Sequence, residues 1–218
     1  IAELIGIIIG DGNIYFNLKK KKYYFEITGN PHYELEYFNY INSQLIYFIL
    51  NKTGTIKKRG RGLRLRVYSK CFINYLIFTL GLPHSKNKCL NVRIPVEIKN
   101  SSWNILKKTI RGITDTDGSL FFSNKGYRED YPSIEICTIS KGLAYDVFNI
   151  LKRNNFNPRI RSYLQNKMKY TIGMYGDKLA KKWMKEVGSS NSFTLESFID
   201  FTTSLPMIFS IDMDTFTD

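Results

Sequence analysis

The sequence predicts an α+β fold built from two similar αββαββα halves. A nine-residue stretch occurs twice, as LIGIIIGDG at 4–12 and as IRGITDTDG at 110–118, and the copies share Gly, Ile, Asp and Gly at places three, four, eight and nine. After each copy the pattern predicts two strands, a helix, two more strands and another helix. Because Asp11 and Asp117 lie about half a chain length apart, we expect each half to deliver one carboxylate to a shared centre.

Both copies of the repeated stretch have the features of a helix end. The first copy is apolar on nearly all sides, which predicts a helix that is buried all round. Small residues lie four apart in each copy, as Gly6 and Gly10 in the first and Gly112 and Thr116 in the second. Such residues allow two helix backbones to approach closely, and the glycine after each aspartate stops the helix. We therefore expect the two helices to pack against each other.

Alternating apolar and polar residues predict the strands of the first half. In the first strand Ile14, Phe16 and Leu18 form the apolar face, and each sheet should have one side on the core and one side in water. The strands are expected at 13–18, 23–28, 55–59 and 63–68, with a basic turn at 19–22.

Capping residues predict the helices between these strands. Asn30 as N-cap and Pro31 at the first position should start a helix that runs to about residue 50. Ser69 should cap a helix that ends at Gly81. Segment 91–100 is expected to be extended around its proline and to form part of a linker. We place the N-terminal half at 1–94, the linker at 95–101 and the C-terminal half at 102–218.

The second half repeats this order of elements. Ser140 is expected to cap one helix, and Asp177 another that ends at Gly188. A last helix, about 194–204, has no counterpart in the first half. The four strands are expected at 119–123, 133–139, 159–163 and 169–174.

The composition indicates a folded protein with a polyanionic partner. Lys and Arg number 32 against 19 Asp and Glu, which gives a net charge of +13, and nucleic acid is the commonest polyanion. No apolar run is long enough to span a membrane. Three cysteines without metal spacing predict reduced thiols in an intracellular, non-secreted protein, and the abundance of Lys, Asn, Ile, Tyr and Phe favours an organellar (mitochondrial) or microbial source. A bound metal should be a hard ion held by oxygens.

The two motifs, each followed by the same order of elements, resemble those of the single-chain LAGLIDADG homing endonucleases over nearly the whole chain. The resemblance implies that the motif helices lie at the interface of the halves and that eight antiparallel strands form a saddle over double-stranded DNA. It implies an intron-encoded monomer with internal pseudo-twofold symmetry. Such an enzyme would cut both strands of a long, asymmetric site across the minor groove and leave short 3′ overhangs.

The same resemblance assigns Asp11 and Asp117 as metal ligands beside the scissile phosphates, in a ligand set that also includes Gly10 and Thr116. The expected ion is Mg²⁺, with Ca²⁺ or Mn²⁺ able to replace it in binding. A helix dipole disfavours an aspartate at the helix C-terminus, and two neighbouring aspartates repel each other. A shared divalent ion would remove both penalties.

Four further side chains are candidates for the active centre. The resemblance indicates a polar residue at the place of Glu26 and Glu135, although acids that temper a basic sheet would explain them as well. It also implies a lysine from the loop after the third helix, which could be Lys86 or Lys88. The corresponding segment of the second half has no lysine, so the two strand-cleaving sites are expected to differ. Asp115, the other acid of the second motif, is expected to be structural.

The polar faces of the strands form the candidate DNA surface. Arg and Lys can bond guanine edges, Asn can bond adenine, and strand pairs fit the major groove, although many such side chains contact only phosphate. The predicted surface consists of Asn13, Tyr15, Asn17, Tyr24, Thr28, Lys57, Arg59, Arg64, Arg66, Tyr68, Arg159, Arg161, Tyr163, Lys167 and Lys169.

Two alternatives stay open. An RNA-splicing cofactor, or maturase, would bind intron RNA with the same basic sheets and would not need the metal ligands. A non-catalytic DNA-binding protein on this fold would be expected to have lost a motif aspartate or to carry an added helix-turn-helix. Both aspartates are present, which favours the nuclease.

Overall fold

A computed structural model describes residues 1–84, 88–192 and 194–196 of the chain. Lys86 and most of the predicted last helix lie outside the described residues. Two four-stranded antiparallel sheets, each accompanied by helices, confirm the predicted α+β fold. Within the described part no helix is both long and apolar enough to cross a membrane.

The elements follow one another in the predicted order. The helices are α1 (Ala2–Ile9), α2 (Leu35–Tyr40), α3 (Tyr47–Leu50), α4 (Lys70–Asn74), α5 (Lys88–Asn91), α6 (Val96–Lys99), α7 (Trp103–Asp117), α8 (Lys141–Arg153) and α9 (Asp177–Glu186), with π-helical segments at Ile41–Ile46 and Tyr75–Thr79. The strands are β1 (Gly12–Asn17), β2 (Lys22–Gly29), β3 (Thr55–Arg59), β4 (Gly62–Tyr68), β5 (Gly118–Ser123), β6 (Tyr131–Thr138), β7 (Arg159–Leu164) and β8 (Met168–Tyr175).

The two sheets have the same strand order. The first runs β1-β2-β4-β3 and the second β5-β6-β8-β7, so the central pair is β2 with β4 and β6 with β8. The register places Ile14 opposite Phe25 and Phe25 opposite Val67. These three side chains are buried, and the polar residues between them therefore occupy the opposite face.

Helices α1 and α7 pack backbone against backbone, as the small residues predict. A Cβ atom on Gly6 would lie 2.2 Å from the carbonyl oxygen of Thr109, and one on Gly112 would lie 2.3 Å from the carbonyl oxygen of Glu3. No other residue type fits such distances without moving the backbone. The ends of the two helices, which carry Asp11 and Asp117, are thereby held side by side.

Two predicted helix starts are wrong. The helix expected at Pro31 begins at Leu35, because Asn30 accepts the N–H of His32 (2.9 Å) in a turn while the carboxylate of Glu34 accepts the N–H of Asn30. Asp177 is the first residue of α9 rather than its cap, which is Gly176 at φ +93°.

The caps predicted at Ser69 and Ser140 are confirmed. The Ser69 hydroxyl accepts the N–H of Phe72 at 3.3 Å, and the Ser140 hydroxyl accepts that of Leu143 at 3.2 Å. The position predicted for Leu18, on the apolar face of the first strand, is wrong, because this residue lies in the turn after β1 and is exposed.

The segment 91–100 is not extended throughout, because it contains the helical turn α6. Asp146 of α8 accepts from the Arg93 guanidinium (2.7 Å), the backbone N–H of Ile94 (3.2 Å) and the Lys99 ammonium (3.3 Å). Three donors from one segment meet a single buried carboxylate, so this segment folds against α8 instead of running straight.

Candidate active site

The ends of α1 and α7 bring Asp11 and Asp117 to one place. Gly10 ends α1, and its N–H donates to the carbonyl oxygen of Gly6. A Cβ atom on Gly10 would lie 2.1 Å from the Thr116 hydroxyl oxygen and 3.3 Å from Oδ2 of Asp117. Glycine at this position therefore lets the second carboxylate lie against the first motif.

The two aspartates line a single pocket of about 360 Å³, which we call the motif pocket. Strands β7 and β8 contribute Tyr163 and Lys169, which the sequence placed only on the general DNA surface. Apart from Gly10, which the resemblance placed in the metal-ligand set, the remaining lining residues carry no sequence signal that would have placed them here. They are Ile9, Gly10, Cys89, Val92, Cys137, Thr138, Ile139 and Leu143.

The pKa values of both motif carboxylates are raised, in each case mainly by burial. Burial raises the pKa of Asp11 to about 7, and repulsion by Asp117 and Glu34 adds to this, while Lys88 opposes it. Burial likewise raises the pKa of Asp117 to about 6, again against the attraction of Lys88. Added positive charge in the motif pocket would relieve both effects.

Lys88, one of the two candidate lysines, is held at the end of the first motif helix. Its ammonium group, with three N–H donors, lies within hydrogen-bonding distance of four carbonyl oxygens around this end, those of Ile8 (2.7 Å), Ile9 (2.9 Å), Gly10 (2.9 Å) and Gly12. The negative end of the helix dipole favours a cation there. Burial lowers the pKa of Lys88 to about 8, whereas the attraction of Asp117 and Asp11 raises it.

The second motif ends differently. Asp115 stands at the place of Ile9, is buried, and accepts from the Ser189 hydroxyl (2.6 Å) and the Ser190 N–H (2.8 Å). Burial raises the pKa of Asp115 to about 7 although these two bonds lower it. The segment after α9 thus binds a motif side chain, whereas Lys88 binds motif carbonyls. The two motif ends are chemically inequivalent, and Asp115 has the structural position expected of it.

The donor set fits a hard divalent cation. Two desolvated carboxylates in one pocket are the oxygen ligands that Mg²⁺ prefers. The Gly10 carbonyl already accepts from Lys88, and the Thr116 hydroxyl donates to the carbonyl oxygens of Gly112 and Ile113 (3.0 Å each). Among the described residues no group of three or more His, Cys, Asp or Glu could hold a metal. An ion held here would therefore need water or phosphate oxygens as well.

Glu26 and Glu135 are not among the residues that line the motif pocket. Glu26 is paired with Arg64 (3.2 Å) and Arg66 (Nε to Oε2, 2.7 Å) on the polar face of the first sheet. Glu135 accepts from Arg161 (2.6 Å) on the second sheet. The structure thus brings neither acid to the aspartates and gives both of them arginine partners.

The predicted DNA surface lies on the polar faces of the two sheets. The register aligns Tyr15, Tyr24 and Tyr68 in one row across β1, β2 and β4, on the face opposite Phe25. Lys167 lies in the turn between β7 and β8. Each polar face contains a basic concavity, of about 290 Å³ on the first sheet and about 430 Å³ on the second. These faces have the charge that a phosphate backbone requires.

No protein-family model and no curated protein matches the sequence. Solved structures do match. I-DmoI in complex with DNA and Mn is 21% identical, with a TM-score of 0.56 over 86% of this chain and 95% of that chain. Mesophilic variants of the homing endonuclease I-DmoI are 19% identical, with a TM-score of 0.59 over 85% of this chain and 88% of that chain. I-SmaMI bound to uncleaved DNA target in the presence of calcium ions is 16% identical, with a TM-score of 0.57 over 93% of this chain and 89% of that chain.

These likenesses cover most of the chain and include both sheets with their helices. They agree with the resemblance that the two motifs carry and confirm it at the level of the fold. The protein thus has the two-half α+β fold of the LAGLIDADG homing endonucleases I-DmoI and I-SmaMI.

Proposed function

We propose that the protein is a site-specific endonuclease that binds double-stranded DNA with the polar faces of both sheets and cuts each strand once at the motif pocket. The observation that carries the proposal is the pair Asp11 and Asp117, two partly buried carboxylates that separate motifs bring into one pocket. Strand residues Tyr163 and Lys169 line the same pocket, so a phosphate held on the polar face would adjoin the carboxylates.

In this proposal Asp11 and Asp117 hold a divalent cation, Mg²⁺, with Gly10 and Thr116 beside it. The cation, when bound, supplies an activated water and neutralises charge on the phosphate. Lys88 holds the end of α1 in place and adds a positive charge next to both carboxylates. The negative charge of the phosphate would thus be stabilised from two sides, by the cation at the aspartates and by Lys169 of the second sheet.

The two halves are expected to address unequal half-sites. Among the described residues, Lys88 is bound at the end of the first motif, whereas Ser189 and Asp115 meet at the end of the second. The polar faces also differ in their side chains, so a monomer would recognise a long asymmetric target. Intron RNA remains the alternative partner for the same basic faces.

The test is cleavage of a selected DNA-target library with Mg²⁺ and with Ca²⁺. We expect the wild type to cut both strands in Mg²⁺, and Asp11→Asn and Asp117→Asn to lose about 10²- to 10³-fold in rate or more while still binding in Ca²⁺. Glu129→Gln, an exposed acid in the β5–β6 turn, is the control and should cut normally. Tight specific binding without cutting in any divalent metal would contradict the endonuclease and direct the search to RNA.

A further inference from the structure

The polar face of the first sheet fixes one arginine from two sides. Arg66 of β4 donates from Nε to Oε2 of Glu26 at 2.7 Å, and its guanidinium carbon lies 4.5 Å above the centroid of the Tyr24 ring. The carboxylate sets the in-plane orientation of the guanidinium and the ring sets the face. A long side chain that is normally mobile is therefore held in one position before any ligand binds.

The supports of Arg66 are themselves fixed. Tyr24 stacks on Tyr15 with centroids 4.8 Å apart and planes 13° apart, and it contacts Tyr68 at 5.3 Å. The Glu26 side chain is only 10% exposed, whereas that of Arg66 is 33% exposed. The carboxylate thus lies below the surface and the arginine reaches it. Because Glu26 takes Nε and Nη2, the Nη1 side of the guanidinium faces away from the carboxylate. The Tyr68 side chain also hydrogen-bonds with this arginine, and we expect a ligand to approach at the edge that these two partners leave.

The second sheet builds the same arrangement with an arginine from another strand. Glu135 occupies the place of Glu26, but its direct partner on β8 is Gly173, where β4 has Arg66. A Cβ atom on Gly173 would lie 2.4 Å from Cζ of Tyr175, so the tyrosine ring lies across the glycine. The arginine comes instead from the outermost strand, β7.

That arginine is Arg161, and it too has a carboxylate and a ring. Its Nη2 donates to Oε1 of Glu135 at 2.6 Å, and its guanidinium carbon lies 5.6 Å from the centroid of the Tyr175 ring. The Tyr175 hydroxyl donates to the same carboxylate oxygen at 2.6 Å. In each half, therefore, an acid of the second strand accepts from an arginine that also lies near a tyrosine ring, and in the first half the same acid accepts from Arg64 as well.

An acid on a surface that binds phosphates weakens affinity for every DNA sequence alike. An acid at the same place in both halves is accounted for if it confers selectivity by orienting the neighbouring arginine. An oriented guanidinium matches the O6 and N7 acceptors of guanine. Phosphate binding alone requires positive charge without a fixed orientation.

We propose that Arg66 and Arg161 are specificity-determining residues that each read a guanine of one half-site, and that Glu26 and Glu135 are positioning residues that orient them. The inference rests on the proposed function and adds the recognition chemistry of its target. Because β7 lies one strand further out than the strand equivalent to β4, the Cα atoms of the two arginines differ in position by about 4.8 Å, and their guanidinium groups reach the equivalent acids from different directions. The two guanines are therefore expected at unequal distances from the centre of the target.

The test is selection of bound sequences from a random double-stranded DNA library in Ca²⁺, which needs no cleavage. We expect Glu26→Gln to reduce the preference for guanine at one position of one half-site by about tenfold, and Arg66→Lys to do the same. Affinity for non-specific DNA should stay equal or rise in Glu26→Gln, because a negative charge is lost. Arg59→Gln is the matched control: it lies on the same sheet without a carboxylate partner among the described residues, and it should weaken binding to all sequences alike.

Unchanged base preferences in Glu26→Gln would overturn the inference, as would a loss of Mg²⁺-dependent cutting with base preferences intact, since Glu26 would then act on the chemistry. Glu135→Gln repeats the test independently in the second half if the first variant fails to fold. If the wild type selects no sequence, the proposed function is contradicted as well. If Glu26→Gln and Glu135→Gln still select the same sequence as the wild type, only this inference is contradicted.

Discussion

The ammonium group of Lys88 donates to the carbonyl oxygen of Ile8 at 2.7 Å, which ties α5 to the end of the first motif helix. The carbonyl groups at a helix C-terminus lack partners within the helix, and one side chain here provides for several of them. The position of Asp11 therefore depends on a residue almost eighty positions further along the chain.

Replacement of Lys88 by Met should remove the hydrogen bonds between α5 and the end of the first motif helix. We expect a loss of about 1–3 kcal/mol in the free energy of unfolding, because several carbonyl groups lose their donor. Cleavage should fall by about 10²-fold or more, and unequally for the two strands, because in the described part of the chain this lysine binds the end of the first motif and Ser189 that of the second. Urea unfolding and single-turnover cutting of DNA labelled on either strand measure the two effects. Lys108→Met, an exposed lysine of α7, is the control, and an equal loss on both strands would contradict the expected asymmetry.

Gly6→Ala should destabilise the protein strongly. The added Cβ would lie 2.2 Å from the Thr109 carbonyl oxygen, so α1 and α7 would have to move apart, at a cost of about 3 kcal/mol. The comparison is Gly62→Ala in β4, where the nearest atoms are 3.8 Å away and the change should remain within about 0.5 kcal/mol. Urea unfolding of both variants decides the matter, and equal midpoints would show that the helix contact is looser than described.

Lys169→Met should slow cutting without weakening the fold. This lysine lines the motif pocket together with Asp11 and Asp117, so its charge is expected to act on the phosphate, and we expect about a tenfold loss in the single-turnover rate at saturating DNA. Lys125→Met, which lines the concavity on the second sheet, should lower affinity and leave the saturated rate intact. A saturated rate that does not change in Lys169→Met would remove this lysine from the active centre.

Asp146→Ala should loosen the segment between the two repeats. This buried carboxylate accepts from Arg93, Ile94 and Lys99, and its loss should cost about 2 kcal/mol after allowance for the exposure of Arg93. Glu97→Ala, an exposed acid of α6, should change the free energy of unfolding by less than about 0.5 kcal/mol. If the two variants unfold alike, the carboxylate does not dock this segment.

The sequence was sufficient for the repeat, for the strand faces apart from Leu18, and for the meeting of the two motif aspartates, because each depends on local periodicity or on a residue type at a fixed place. It could not assign partners to long side chains. Glu26 is equally compatible with an active centre and with a basic sheet until the register sets Arg66 opposite to it. Lys169 reaches the motif pocket only because the sheet and the motif helices come together in the fold.

The predictions of two helix starts were wrong for a related reason. The Asn30 side chain can cap a helix or close a turn, and the choice depends on Glu34, whose carboxylate accepts the Asn30 N–H. Likewise Asp177 has the residue type of a cap, but its carboxylate binds Arg128 at 2.5 Å, a partner almost fifty positions earlier in the chain. Competition between local and distant partners is not visible in a short sequence window.

The contact of Gly6 and Gly112 with the facing backbones also bears on how such a protein can change its target. The spacing of the two carboxylates is set by main-chain atoms, which remain the same whatever side chains the strands carry. Under the proposed function, substitutions on the strands away from the motif pocket would alter which sequences are bound without moving the two aspartates. In evolutionary terms, recognition and cutting would then be separable traits, and a lineage could acquire a new target site while the spacing of the aspartates stays constant.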